Sequence, residues 1–234
     1  MNNFEYPMRI NKYLALSGYS TRRGADELIS KKQVYINGNL AVLGDKINED
    51  DVVDVRTSGK QKQNLYFAYN KPLGVITHSP QFNEKDIAQS VSIKGIFPVG
   101  RLDKDSSGLI ILTNDGRITD RLLNPEYEHR KEYIVKTVNK LRPSFKEHME
   151  AGVDIEGYIT KKCKVRIIGD RTFSITLTEG KKHQIRRMVS ALHNEVFELK
   201  RVKIMNIDLG RLPAGEYRPI EGDELKNFLK ELGL

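Results

Sequence analysis

Apolar residues recur along this chain with two different periods, and the switches between them mark out the elements. In Arg9-Ile10-Asn11-Lys12-Tyr13-Leu14-Ala15-Leu16, the side chains of Ile10, Tyr13 and Leu14 share one face at helical spacing. Gly18 suits the end of that helix, and Ser20 or Thr21 can cap a second one in which Arg22 and Asp26 form an i,i+4 pair. Apolar positions then alternate over 34–42 on both sides of Asn37-Gly38, which predicts a hairpin. The run Arg56-Thr57-Ser58-Gly59-Lys60-Gln61-Lys62-Gln63-Asn64 is polar and aperiodic and reads as a flexible linker. Beyond it, strands are expected at 65–70, 109–112, 132–137 and 172–177, and helices at 116–123, 143–151, 181–193 and 222–232. Strands outnumber what simple β-α alternation would give, so the fold class expected is α+β, with a mainly antiparallel sheet flanked by helices.

A length of 234 residues suits one core plus a small accessory module. The expected division is 1–58, a linker at 59–64 and a main domain at 65–234. With 38% hydrophobic and 30% charged residues, the composition excludes long-range disorder. No stretch approaches the roughly 20 apolar residues that span a bilayer, so no membrane is expected as a partner. The start, Met1 to Pro7, lacks the basic and apolar blocks of a signal peptide, and a cytoplasmic location follows as an expectation. Cys163 is the single cysteine, which excludes an internal disulfide and a cysteine metal cage. A net charge of +8 favours polyanions, and Lys12, Arg22, Arg23, Lys31 and Lys32 gather on the helical half of the front module beside Arg9.

The stretch most suggestive of chemistry is Gly100-Arg101-Leu102-Asp103-Lys104-Asp105-Ser106-Ser107-Gly108, running into Leu109-Ile110-Ile111-Leu112 and out through Thr113-Asn114-Asp115-Gly116. A rigid apolar strand holds its polar neighbours more accurately than a free loop does. Three readings fit the residues. Asp103, Asp105, Ser107, Gly108 and Ile110 match successive positions of a calcium-binding EF-hand loop, but the twelfth position is Asn114 where a glutamate is needed. The carboxylates could instead cap a structural turn. The third reading is a catalytic carboxylate flanked by a cation.

Two resemblances bear on the choice. The helices "RINKYLALSGYSTRRGADELI" followed by "QVYINGNLA" resemble an S4 domain, a small α/β RNA-binding module. "GRLDKDSSGLIILTNDG" resembles the signature of the RsuA/RluF branch of the pseudouridine synthases, and "YNKPLGVITHS", "KEYIV", "EGKKHQIRRM" and "RVKIMNIDLG" occur around it in the family's order. "AGV" (151–153) and "TKKCKV" (160–165) are most similar to the RluF-type synthases, which makes 23S rRNA the expected substrate and a tRNA uridine the alternative. The resemblance implies an isomerase that cuts the uracil N1–ribose bond, turns the base and rejoins it through C5, using no metal and no other cofactor. It implies Asp103 as the catalytic carboxylate, Arg186 as its ionic partner and Tyr133 as the residue stacking on the base. Ile204 is expected on the opposite face of the uracil, Arg187 toward RNA, Arg101 in base flipping, and Lys71 as a phosphate contact. His183 is expected to be an RNA contact or helix surface, and the chain to act as a monomer. A non-enzymatic ribosome-assembly factor would explain residues 9–55 and the charge, but not the joint occurrence of Asp103, Tyr133 and Arg186.

Overall fold

The computed structural model describes residues 5–56, 63–77, 87, 91, 93 and 95–234. The linker expected over 59–64 lies outside these except for Gln63 and Asn64, as do residues 78 and 79 of the 69–79 segment. By their internal contacts the residues form two units, Met1–Leu65 with Thr113–Thr119, and Tyr66–Leu112 with Asp120–Leu234.

The front unit has the two expected helices, Ile10–Leu16 and Arg22–Ser30. Thr21 is the residue that caps the second, accepting from the Gly24 amide at 3.0 Å. The expected Arg22–Asp26 pair does not form, because Asp26 Oδ1 accepts from Asn11 Nδ2 at 2.9 Å and so ties the helices together. Asn37 and Gly38 both take positive φ (50° and 80°), as a tight hairpin turn between Val34–Ile36 and Asn39–Leu40 requires. The pattern did not predict two further pieces. Val53–Val55 pairs with the other edge of Val34–Ile36, and Met8–Arg9 pairs with Lys46–Ile47. These elements close over Met8, Ile10, Leu14, Ala25, Ile29, Val34, Ala41 and Ile47. Residues 63–65 are fastened to the turn at 114–115: Asn114 Nδ2 donates to the Gln63 carbonyl at 3.0 Å, and the Leu65 amide donates to Asn114 Oδ1 at 2.7 Å.

The larger unit is built on a sheet whose strands lie in the order Lys164–Gly169, Thr172–Leu177, Lys131–Thr137, Val196–Ile204, Ser107–Thr113, Tyr66–Lys71 and Tyr217–Pro219, with Phe97–Val99 and Ile207–Asp208 paired beside this path. The pairings described along it are mainly antiparallel, as expected, and the step between Val196–Ile204 and Ser107–Thr113 is parallel. Ser107–Thr113 is buried from Gly108 to Thr113, which explains an apolar run without alternation. Helices Phe145–Ala151 and Gln184–Ala191 pack Phe145, Met149, Ile185, Met188 and Val189 against Val135, Phe173 and Ile175 of the sheet. A second core holds Tyr69, Val75, Leu102, Ile110 and Leu112, and Tyr133 packs against both. Helices Arg117–Leu123 and Gly222–Glu231 complete the expected set.

Gly108 makes the parallel step possible. Its φ is +105°, and a Cβ there would lie 2.2 Å from the Arg201 carbonyl oxygen, so only glycine lets the two backbones meet.

Candidate active site

The loop before Ser107–Thr113 is held at several points. The Thr77 hydroxyl donates to the Leu102 carbonyl at 2.8 Å and accepts from the Leu102 amide at 3.2 Å, so one buried side chain fixes the peptide units next to Asp103. The Gly74 amide donates to the Lys104 carbonyl and the Ser106 amide to the Asp103 carbonyl. With its backbone pinned, Asp103 presents a side chain that is 43% exposed, and Arg101 two residues earlier is also exposed.

Behind this loop lie three cations. Arg201 is 3% exposed; its Nε donates to the Leu109 carbonyl at 2.7 Å and its Nη1 to the Arg101 carbonyl at 3.4 Å, bridging the two ends of the Asp103 segment. Lys71 is fully buried, its Nζ donating to the carbonyls of Val75 (2.7 Å) and Pro72 (3.0 Å). Burial lowers the Lys71 pKa to about 8, against the pull of the nearby Asp103 and Asp105 charges, and the positive Arg201 adds to the lowering. Lys131, whose Nζ donates to the His129 carbonyl, is likewise brought down to about 8 by burial first and Arg201 second. Among the described residues none of the three has a carboxylate partner within ion-pair distance. Lys71 is therefore not the phosphate contact expected of it. Its strand runs through the core, and its charge is spent on carbonyls of the turn that follows.

The helix Gln184–Ala191 faces the same loop. Its start is fixed by buried Glu179, which accepts from Gln184 Nε2 (2.7 Å), the Tyr158 hydroxyl (2.6 Å) and the Lys161 amide (2.9 Å). Arg186, expected to pair with the Asp103 carboxylate, instead donates through Nη2 to the Asp105 carbonyl at 2.6 Å and grips the loop by its backbone. Among the described residues the side chain in ionic reach of Asp103 is His183, with Nε2 3.7 Å from Oδ1. Arg187 does not point free toward an RNA. Its Nη2 is held by the Ile155 carbonyl (2.6 Å) and Glu156 Oε2 (2.7 Å), which strap the 153–160 segment to the helix.

Tyr133 is half-buried where the two cores meet, in register with Ile175 and Arg201. Ile204 is 1% exposed, paired with Ile207 at the turn after its strand, so it is core and not an open face for a base. Burial pushes the Cys163 thiol up to about 11, with Sγ against the Met149 carbonyl, so it stays protonated at neutral pH. Leu109–Leu112, expected to fall late in a calcium loop under the EF-hand reading, are strand interior. Sequence reasoning passed over Thr77, Arg201 and Glu179; only the unusual placement of Gly108 before an apolar run signals that another backbone comes close there.

In the front unit Arg9, Arg22, Arg23, Lys31 and Lys32 are exposed and Lys12 is half-buried. Arg9, Lys12, Arg22 and Lys46 line an open pocket of ≈ 570 Å³ together with Glu5 and Tyr6.

The RNA pseudouridylate synthase family model matches residues 65–191, and the S4 domain model matches residues 8–53. The chain is 40% identical to the dual-specificity RNA pseudouridine synthase RluF of Escherichia coli (strain K12), over 95% of its own length and 79% of the relative's. It is 36% identical to an uncharacterized RNA pseudouridine synthase of Aquifex aeolicus (97% and 96% covered) and 31% identical to the ribosomal large subunit pseudouridine synthase B of Bacillus subtilis (94% and 95%). Among solved structures, a crystal structure of a pseudouridylate synthase superposes with a TM-score of 0.70 at 29% identity, covering 96% of this chain and 99% of that one.

Proposed function

The chain belongs to the RNA pseudouridylate synthase family, with an S4 domain at its front, and from that premise we propose that it isomerises a uridine of large-subunit ribosomal RNA with Asp103 as the catalytic carboxylate. The observation that carries the assignment is the presentation of Asp103. A half-exposed carboxylate sits within a segment whose backbone is clamped by Thr77, Arg201 and Arg186 from three other parts of the chain. A group held in this way meets the anomeric carbon of a flipped-out nucleotide in one orientation, which is where catalytic positioning gains most. The carboxylate acts on the ribose either by attack at C1′ or by removing a sugar proton; both break the N1–C1′ bond without a redox carrier.

Lys71 and Arg201 form a positive floor beneath the loop, with Lys131 near Arg201, and balance the Asp103 charge when a bound uridine excludes water. Tyr133 is the stacking residue for the base, and Arg101 the side chain that occupies the vacated stack or holds a flanking phosphate. Arg9, Lys12, Arg22, Arg23, Lys31 and Lys32 gather RNA for the site, in keeping with the exposure of all but the half-buried Lys12. A second reading adds a tRNA uridine as substrate; the dual specificity named for the Escherichia coli relative favours it.

The test maps pseudouridine in rRNA and tRNA from cells with and without the protein, alongside purified wild type and Asp103→Asn. The variant removes charge and nucleophilicity with almost no change of volume. Turnover below about a tenth of wild type, with RNA affinity within several-fold, is expected for loss of an essential nucleophile or base. A variant that keeps more than that overturns the assignment.

A further inference from the structure

His183 meets no need of the fold. It precedes the helix Gln184–Ala191 with φ +53°, in the left-handed region that a non-glycine residue seldom occupies. Its side chain does not cap the helix. The turn before the helix is tied down without it: Gln184 Oε1 accepts from the Lys181 amide at 2.9 Å, and Glu179 accepts from Gln184 Nε2. The ring is 47% exposed, and among the described residues its one ionic contact is Asp103 at 3.7 Å, too long for a hydrogen bond. Lys181, on the same segment, lies over the Tyr158 ring 4.5 Å from its centre. The spacing between ring and carboxylate is set by rigid parts, because Arg186 joins the helix to the Asp105 carbonyl at 2.6 Å.

The isomerisation needs an acceptor for the C5 proton as well as a group that acts on the ribose. Uridine and pseudouridine have the same atoms, but C5 loses a hydrogen and N1 gains one. When C5 of the detached uracil anion bonds to C1′, C5 becomes tetrahedral and still bears its proton, while N1 and C6 are double-bonded. Removing that proton returns the C–H electron pair as the C5–C6 double bond, and the N1–C6 π pair moves to N1, which takes a proton from solvent. At that moment C5 is one bond from the carbon that Asp103 addresses, so the acceptor must lie beside the Asp103 carboxylate and open to the bound nucleotide. We propose that His183 is a catalytic residue of this reaction, taking the C5 proton on its ring Nε2. The assignment rests on the reading of Asp103 as the carboxylate that acts on the ribose. Imidazole is the side chain best matched to proton transfer near neutrality. Lys71 and Lys131 hold their Nζ on backbone carbonyls, and Tyr133 is half-buried between two apolar clusters.

The experiment uses the full chain and unmodified large-subunit rRNA transcribed with either protium or deuterium at uridine C5. Wild type, His183→Asn, His183→Gln, Tyr133→Phe and Asp103→Asn are compared. Asparagine tolerates the left-handed backbone and so keeps the fold while removing the base. Expected for His183→Asn is a fall in turnover of about 100-fold, the lower end of what a positioned general base contributes. RNA affinity should stay within a few-fold, a C5 isotope effect absent from wild type should appear, and free imidazole should restore part of the rate. Unchanged turnover with no isotope effect overturns the assignment, as does an isotope effect that appears in Tyr133→Phe and not in the His183 variants. Weakened binding at unchanged turnover would make His183 an RNA contact only, and equally overturns it. If Asp103→Asn stays inactive through these outcomes, only the role of His183 falls. An active Asp103→Asn removes the anchor and this assignment with it.

Discussion

Lys71 shows how far a residue's chemistry depends on what surrounds it. In the sequence it is a charged residue before a proline; in the fold it has no exposure and two carbonyl acceptors. Its folded pKa of about 8 lies below the ordinary 10.5. Between those values the unfolded chain binds more protons than the folded one, so stability rises with pH across the window. Below pH 8 both states are protonated, and the full cost of the buried charge, roughly 3 kcal/mol, is present. Lys71→Met removes the titration. Urea unfolding at several pH values between 7.5 and 10 should show wild type gaining on the variant by up to about 1.4 kcal/mol per pH unit above pH 8. A difference between the two proteins that is flat across this range would mean that Lys71 is not held in the apolar surroundings described.

At the scale of elements, the site depends on the parallel contact between Ser107–Thr113 and Val196–Ile204, which places Arg201 under the Asp103 segment. Gly108→Ala should therefore do more than a single methyl suggests. Its Cβ would lie 2.2 Å from a backbone oxygen at φ +105°, and neither strand can retreat without breaking other pairings. A loss of more than about 2 kcal/mol is expected from overpacking and strain together, along with a larger loss of turnover; equilibrium unfolding and a turnover assay on the same preparation check both. Stability within about 0.5 kcal/mol of wild type, the range of an ordinary surface change, would show that the two strands meet loosely. Glu179 plays the matching part for the helix. Removing its carboxylate in Glu179→Ala leaves Gln184, Tyr158 and the Lys161 amide without their shared acceptor. Turnover is expected to drop while RNA affinity holds, since the helix start carries His183 and Arg186 to the loop; loss of affinity alone would contradict that division.

For the whole molecule, the net charge of +8 acquires meaning from its distribution. Four of the exposed cations, Arg22, Arg23, Lys31 and Lys32, belong to the S4 domain, and every proposed catalytic group belongs to the larger unit. Replacing these four by glutamine should weaken rRNA binding and flatten its salt dependence, by about 0.7–0.9 in slope for each phosphate that is no longer neutralised. Turnover at saturating RNA should fall much less, because the change removes binding and not chemistry. Titrating wild type and the fourfold variant with one rRNA fragment at several salt concentrations decides it. Equal slopes would move the RNA-binding surface elsewhere.

Read alone, the sequence determined most of what is local. The helices 10–16 and 22–30, the Asn37-Gly38 turn, the main-domain helices and the strands Tyr66–Lys71, Ser107–Thr113, Lys131–Thr137 and Thr172–Leu177 follow from period, caps and turn residues, which act over a few positions. The long motif around Asp103 likewise carried the family, because it is contiguous. Val196–Ile204 escaped because two bulges break its alternation, and Val53–Val55 because three residues hold too little pattern to count. Only the tertiary structure decided that Arg186 grips a backbone carbonyl, that Lys71 and Ile204 are buried, that Arg187 is tied down, and that His183 and Arg201 stand beside the site. The contacts of Arg186 and Arg201 join residues about 80 to 100 positions apart, and the Arg187 tie joins residues about 31 apart. A side chain's partner at that range is set by strand order and register, which no local period encodes.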